Sequence, residues 1–113
     1  MAHQRSIFED SLKYAASNLS NKTDATTLVS LLRQTAFLEN QELSIKLLDY
    51  LRTKVSSVSN EELSQIYAAL VLLKNFADLK FERLLEYLTL RRVHSFTTTE
   101  LTLILSSYGY LCQ

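Results

Sequence analysis

The chain has 113 residues, 47% of them hydrophobic and 21% charged, and its 12 Lys and Arg are balanced by 12 Asp and Glu. That length gives one globular domain with a modest core, and the neutral balance argues against nucleic-acid binding through bulk charge alone while leaving room for a local basic patch. The single cysteine, Cys112, excludes an internal disulfide, and the longest strongly apolar run, Ala68 to Leu73, is far short of the ~20 residues that cross a bilayer.

The opening, Met1 to Asp10, lacks an apolar signal core and carries Glu9 and Asp10 early, which a mitochondrial presequence usually avoids. From about Arg5 to Leu19, the residues Phe8, Leu12, Ala15, Ala16 and Leu19 fall on one face at helical spacing. Ser20 to Asp24 is a polar break that supplies N-cap residues. Further helices are predicted over Ala25 to Leu38, Gln41 to Val55, Ser59 to Lys74, Leu79 to Val93, and from Thr97 onward. With no proline and one glycine, the helix starts depend on Ser, Asn, Asp and Thr. Ser59 with Glu62, and Thr97 with Glu100, are spaced as capping boxes, each cap worth ~1 kcal/mol.

Part of this pattern repeats. Leu47-Leu48-Asp49-Tyr50-Leu51 returns about 37 residues later as Leu84-Leu85-Glu86-Tyr87-Leu88, and each copy leads into a helix start, Ser59 to Leu63 and Thr97 to Leu101. Self-similarity at this period marks stacked helix pairs. In this register the even helices align in columns: Leu28, Leu63 and Leu101; Leu31, Ile66 and Ile104; Leu32, Tyr67 and Leu105; Phe37, Leu72 and Tyr110; Leu38, Leu73 and Leu111. The odd helices carry Phe8 and Leu12, Leu47 and Leu51, Leu84 and Leu88.

The fold expected is therefore all-α: a short α-solenoid of antiparallel helix pairs, about six helices, in one domain over 1–113. It divides into a half repeat at 5–19, repeats at 24–55 and 59–93, and a half repeat at 97–113. After Glu100 no charged side chain follows. Leu103, Ile104, Tyr108, Tyr110 and Leu111 leave the last helix little polar face, and a helix apolar nearly all round is a buried one. Another protein chain is expected to cover this end through those residues.

The cations Arg91, Arg92 and His94 close the fifth helix, and Arg52 and Lys54 occupy the matching end of the third. Two readings apply. They form a basic ridge that contacts RNA phosphates, or they sit where the helix dipole favours cations by ~0.3–1 kcal/mol each. Tyr50 and Tyr87 are repeat-equivalent; stacking on bases is one use of such aromatics, but packing at the core edge with a wet hydroxyl is the commoner one. The neighbouring Asp49 and Glu86 also oppose phosphate. Ser30, Arg33 and Gln34 align with Gln65, Ala68 and Ala69, and with Leu103, Ser106 and Ser107. A base-reading code needs polar side chains at fixed columns, whereas these columns mix polar with apolar and read as helix-packing positions.

No catalytic, metal-binding or cofactor-binding residue is expected. His3 and His94 have no adjacent partner arrangement, Cys112 sits at a chain end, and no glycine-rich phosphate loop is present. Glu61 and Glu62 suit a helix start rather than a catalytic carboxylate pair. No small-molecule substrate or membrane span is expected.

The stretch Thr97-Thr98-Thr99-Glu100-Leu101-Thr102-Leu103-Ile104-Leu105-Ser106-Ser107-Tyr108-Gly109-Tyr110 resembles the repeat opening of the octotricopeptide and heptatricopeptide families, which include the FAST-kinase-like proteins. That opening runs as a turn residue, two polar residues, Glu-Leu, an aliphatic helix, then Leu-Gly-aromatic. Ser59 to Leu73 follows it with Glu62-Leu63, Ile66 and Ala69-Leu70, and departs at Lys74-Asn75-Phe76, where a glycine is usual. Thr27-Leu28 to Leu38 is a fainter copy, so the resemblance spans about 24–113. It implies an organellar, mostly mitochondrial or chloroplast protein that binds or accompanies RNA; some members are built into mitochondrial ribosomes of protists and algae. The resemblance thus implies a non-catalytic structural subunit of a mitochondrial ribonucleoprotein, the ribosome foremost, docking on protein and rRNA. The alternative is a protein-binding adaptor or accessory subunit of another mitochondrial complex, without RNA contact.

Overall fold

The computed structural model describes residues 2–73 and 78–111, with side chains from residue 6 onward. Lys74-Asn75-Phe76, Cys112 and the side chain of His3 lie outside the described residues. Six α-helices span the rest, with no strand among the described residues: α1 (Ala2–Ser17), α2 (Ala25–Phe37), α3 (Gln41–Leu51), α4 (Asn60–Leu72), α5 (Leu79–Arg91) and α6 (Thr98–Leu111), with a 3-10 turn at Val55–Ser57.

The starts of α2 to α6 are set by short polar side chains, as the composition requires. Asp24, Asn40, Ser59 and Asp78 accept from the backbone N–H groups of Thr27, Leu43, Glu62 and Phe81, satisfying donors that a first helical turn leaves free. Both capping boxes form. The Glu62 carboxylate returns to the Ser59 N–H at 2.8 Å. At α6 the Thr97 N–H donates to Glu100 at 2.8 Å and the Glu100 N–H to the Thr97 hydroxyl at 3.1 Å.

The predicted third helix is too long. Instead of reaching Val55 it ends at Leu51, and a 3-10 turn carries Val55 and Val58 into the core before Ser59 caps α4. Two buried β-branched residues three apart suit that tighter turn better than a continued α-helix. Between α2 and α3 the chain reverses through Glu39, held at φ 58°. The Glu39 N–H donates to the Ala36 carbonyl at 3.0 Å and the Asn40 N–H to the Thr35 carbonyl at 2.8 Å. This is a Schellman closure with glutamate where glycine is usual, and Asn40 then caps the next helix.

Helix α2 packs on α4 and α4 on α6, so the even helices form one continuous layer. In the other layer α3 packs on α2, and α1 touches α3. Helix α5 joins the same core through buried Phe81, Leu85 and Leu88. It is tied sideways by the Tyr67 hydroxyl to Thr89 at 2.9 Å and by the Tyr108 hydroxyl to Glu86 at 2.8 Å. This is a short two-layer helical solenoid. Its even helices begin at Ala25, Asn60 and Thr98, so the interval between pairs is not uniform.

The repeated Leu-Leu-acid-Tyr-Leu segment builds the core in both copies. Leu48 and Leu51, and their equivalents Leu85 and Leu88, are all buried. Where α2 meets α3, the buried Ser44 hydroxyl and the buried Thr35 hydroxyl lie 2.8 Å apart and bond one another. No helix among the described residues is long and apolar enough to cross a membrane.

Candidate docking surfaces

Of the five predicted RNA-contacting cations, Arg52, Lys54 and Arg92 reach across to other segments of the chain. Arg52, the C-cap of α3, pairs with Asp78, the N-cap of α5, and with Asp49 at 3.4 Å, while its guanidinium stands 5.7 Å from the Phe81 ring centre. Lys54 donates from Nζ to the carbonyls of Asn21 and Thr23. Arg92, the C-cap of α5, donates to the Val58 carbonyl at 2.7 Å and to the Ser56 carbonyl at 2.9 Å. These three side chains are thus held by the chain itself, at the helix ends where the basic ridge was expected. Long cationic side chains after a helix end reach carbonyls that the neighbouring loop leaves without a helical partner, and they satisfy them. Arg91 and His94 do face solvent.

The two repeat tyrosines part company. Tyr50 is half-buried against the core, as expected, but Tyr87 is 54% exposed. Arg91 lies over its ring at 5.5 Å and donates to its hydroxyl at 2.8 Å. That contact replaces the packing predicted for it.

The predicted partner set on α6 divides as well. Ile104 is 2% exposed in the core cluster, and Leu111 packs against that cluster. Both serve the chain's own core because α6 lays that edge on α4. Leu103, Tyr108 and Tyr110 are on the surface, as is Leu105, the most exposed apolar residue of this helix at 61%. In the column of Leu32, Tyr67 and Leu105 the first two are buried and the third is exposed.

One column is outside in all three copies. Phe37 and Leu72 end α2 and α4, Tyr110 stands next to the end of α6, and all three are exposed. They form an apolar ladder, one rung per even helix. Two rungs border a groove of about 580 Å³ whose walls include Phe8, Leu12, Ser30, Arg33, Gln34, Gln65 and Ala68. Ser30, Arg33 and Gln34 are exposed in this groove rather than packed between helices, whereas Ala69 and Ser107 of the same columns are buried. The difference follows from position, since α2 heads the even layer and has α4 beside it.

The perturbed carboxylates belong to the helix starts. The Thr27 hydroxyl and N–H hold the Asp24 carboxyl below its ordinary value, and the Ser59 N–H does the same for Glu62. No group of three or more His, Cys, Asp and Glu gathers among the described residues. Compared with models of protein families, with curated proteins and with solved structures, the chain matches none.

Proposed function

We propose that the chain is a non-catalytic structural subunit of a mitochondrial ribonucleoprotein, the mitochondrial ribosome foremost, seated on protein neighbours through its even-helix layer and touching rRNA. The observation that carries the docking role is the exposed ladder of Phe37, Leu72 and Tyr110. Large apolar side chains recurring at one level of a solenoid, beside an apolar groove, are what protein partners cover. The mitochondrial and ribonucleoprotein parts rest on the resemblance of Thr97 to Tyr110 and Ser59 to Leu73 to organellar RNA-associated repeats.

A second reading, an adaptor that binds protein only, is favoured by the neutral charge and by the internal engagement of Arg52, Lys54 and Arg92. Sedimentation of the tagged chain from mitochondrial extract separates the two. The ribonucleoprotein reading expects co-migration with ribosomal particles that is lost after RNase or in moderate salt. Co-migration with a complex indifferent to both selects the adaptor. In either case Phe37→Asp with Tyr110→Asp should abolish co-migration while each shifts the stability of the isolated chain by about 0.5 kcal/mol or less. Unchanged incorporation of that double variant would refute the docking role of the ladder.

A further inference from the structure

We infer that the outer face of α5 is a binding track for the phosphates of single-stranded RNA, formed by Lys80, Arg83, Tyr87, Arg91 and His94. The inference rests on the ribonucleoprotein reading and gives it a surface that the predicted ridge did not supply. Spacings of three and four residues place Lys80, Arg83, Tyr87 and Arg91 on one face of α5, His94 follows in the turn just after the helix, and all five are exposed. Lys80 and Arg91 stand ~16 Å apart along the axis at the usual helical rise.

The acids of α5 are turned away from this face. Glu82 and Glu86 line the crevice between α4, α5 and α6, and Glu86 accepts from the Tyr108 hydroxyl at 2.8 Å. Neither Lys80 nor Arg83 has an ion-pair partner among the described residues. Arg52, Lys54 and Arg92 are held by Asp78 and by loop carbonyls, whereas the internal partner of Arg91, the Tyr87 hydroxyl, belongs to the track itself. Within it Arg91 lies 5.5 Å from the Tyr87 ring centre and donates to its hydroxyl at 2.8 Å. Tyr87 is 54% exposed, so its ring is accessible to a base, and the bond to its hydroxyl holds the exposed guanidinium where a phosphate can reach it. In α3 and the turn after it the same register holds Leu43, Lys46, Tyr50, Lys54 and Ser57. Tyr50 is half-buried and Lys54 is bound to carbonyls, so the track is confined to α5.

The test is fluorescence anisotropy of the full chain with a labelled oligouridylate of roughly 12 nucleotides. The Lys80→Gln, Arg83→Gln, Arg91→Gln triple variant should weaken binding about tenfold or more and flatten the dependence of log affinity on log salt by about two units. Tyr87→Ala should weaken binding several-fold with the salt slope unchanged. Circular dichroism melts of each variant confirm that it folds. Arg92→Gln is the control, melting earlier without altering RNA affinity at temperatures where it is folded. Equal RNA affinity of triple variant and parent would overturn the track, as would no RNA binding at all. Binding of phosphatidylserine vesicles or polyglutamate in place of RNA would overturn it in favour of another anionic partner. Any such failure leaves the docking reading standing, because that is tested separately at Phe37 and Tyr110.

Discussion

Lys54 and Arg92 do the same work one repeat apart: each follows an odd helix and donates to two carbonyls of the loop that leads into the even helix before it. Lys54 holds Asn21 and Thr23 ahead of α2, and Arg92 holds Ser56 and Val58 ahead of α4. One position uses a compact ammonium and the other a planar fork, yet the junction closed is the same.

Arg92→Met should therefore lower the unfolding free energy by about 1.5–3 kcal/mol, the range for bonds from a charged donor to carbonyls left unsatisfied on its removal. Arg92→Lys should recover part of the loss, since a lysine suffices at the equivalent junction. Arg91→Met, one residue away on the exposed face, should cost about 0.5 kcal/mol or less. Urea titration checks all three; equal losses at 91 and 92 would show that the junction contributes nothing.

The turn at Glu39 makes a prediction of the opposite sign. A residue with a Cβ in the left-handed region costs roughly 1–2 kcal/mol, offset in part by the freedom that glycine adds to the unfolded chain. Glu39 is exposed and held at φ 58°. Glu39→Gly should then stabilise the chain by about 0.5–1 kcal/mol, and Glu39→Val should destabilise it. A fall in melting temperature for the glycine variant would contradict the Schellman assignment.

Acid should weaken the fold through its helix starts. Asp24 and Glu62 titrate in the unfolded chain near 3.8 and 4.5, and both are held lower when folded. As pH falls through that range, the unfolded chain binds protons that the folded chain refuses, so stability falls with it. The contribution is complete above the ordinary carboxylate values and is lost below them. Glu62→Gln keeps the reach to the Ser59 N–H without the titrating charge. The urea midpoint of that variant should vary less with pH on the acid side than the parent's. A parallel acid limb would mean that Glu62 is not among the groups responsible.

The architecture was legible because it depends on short-range chemistry. Caps at Asp24, Asn40, Ser59, Asp78 and Thr97, together with apolar spacing, are local properties of the chain, and the Leu47–Leu51 and Leu84–Leu88 copies bury the same positions. The surfaces were less legible because burial depends on which helix lies alongside. Sequence spacing cannot show that Arg52 meets Asp78, or that Arg92 reaches back to Ser56. Nor does an apolar column say which way it faces: Leu28 and Leu63 are buried, whereas Phe37 and Leu72, farther along the same helices, are exposed. The stripe from Lys80 to Arg91 carries a sequence signal, cations at helical spacing, but spacing alone does not show which face of α5 its neighbours leave exposed.

The layered order also bears on how the chain reaches its fold. The main helix contacts join elements adjacent or next but one along the chain, so little loop closure precedes the first productive packing. A chain without proline also has no prolyl isomerisation to await. Assembly can nucleate at the α2–α3 hairpin or at the α4–α6 contact and spread to neighbouring helices, which places this solenoid among fast-folding proteins.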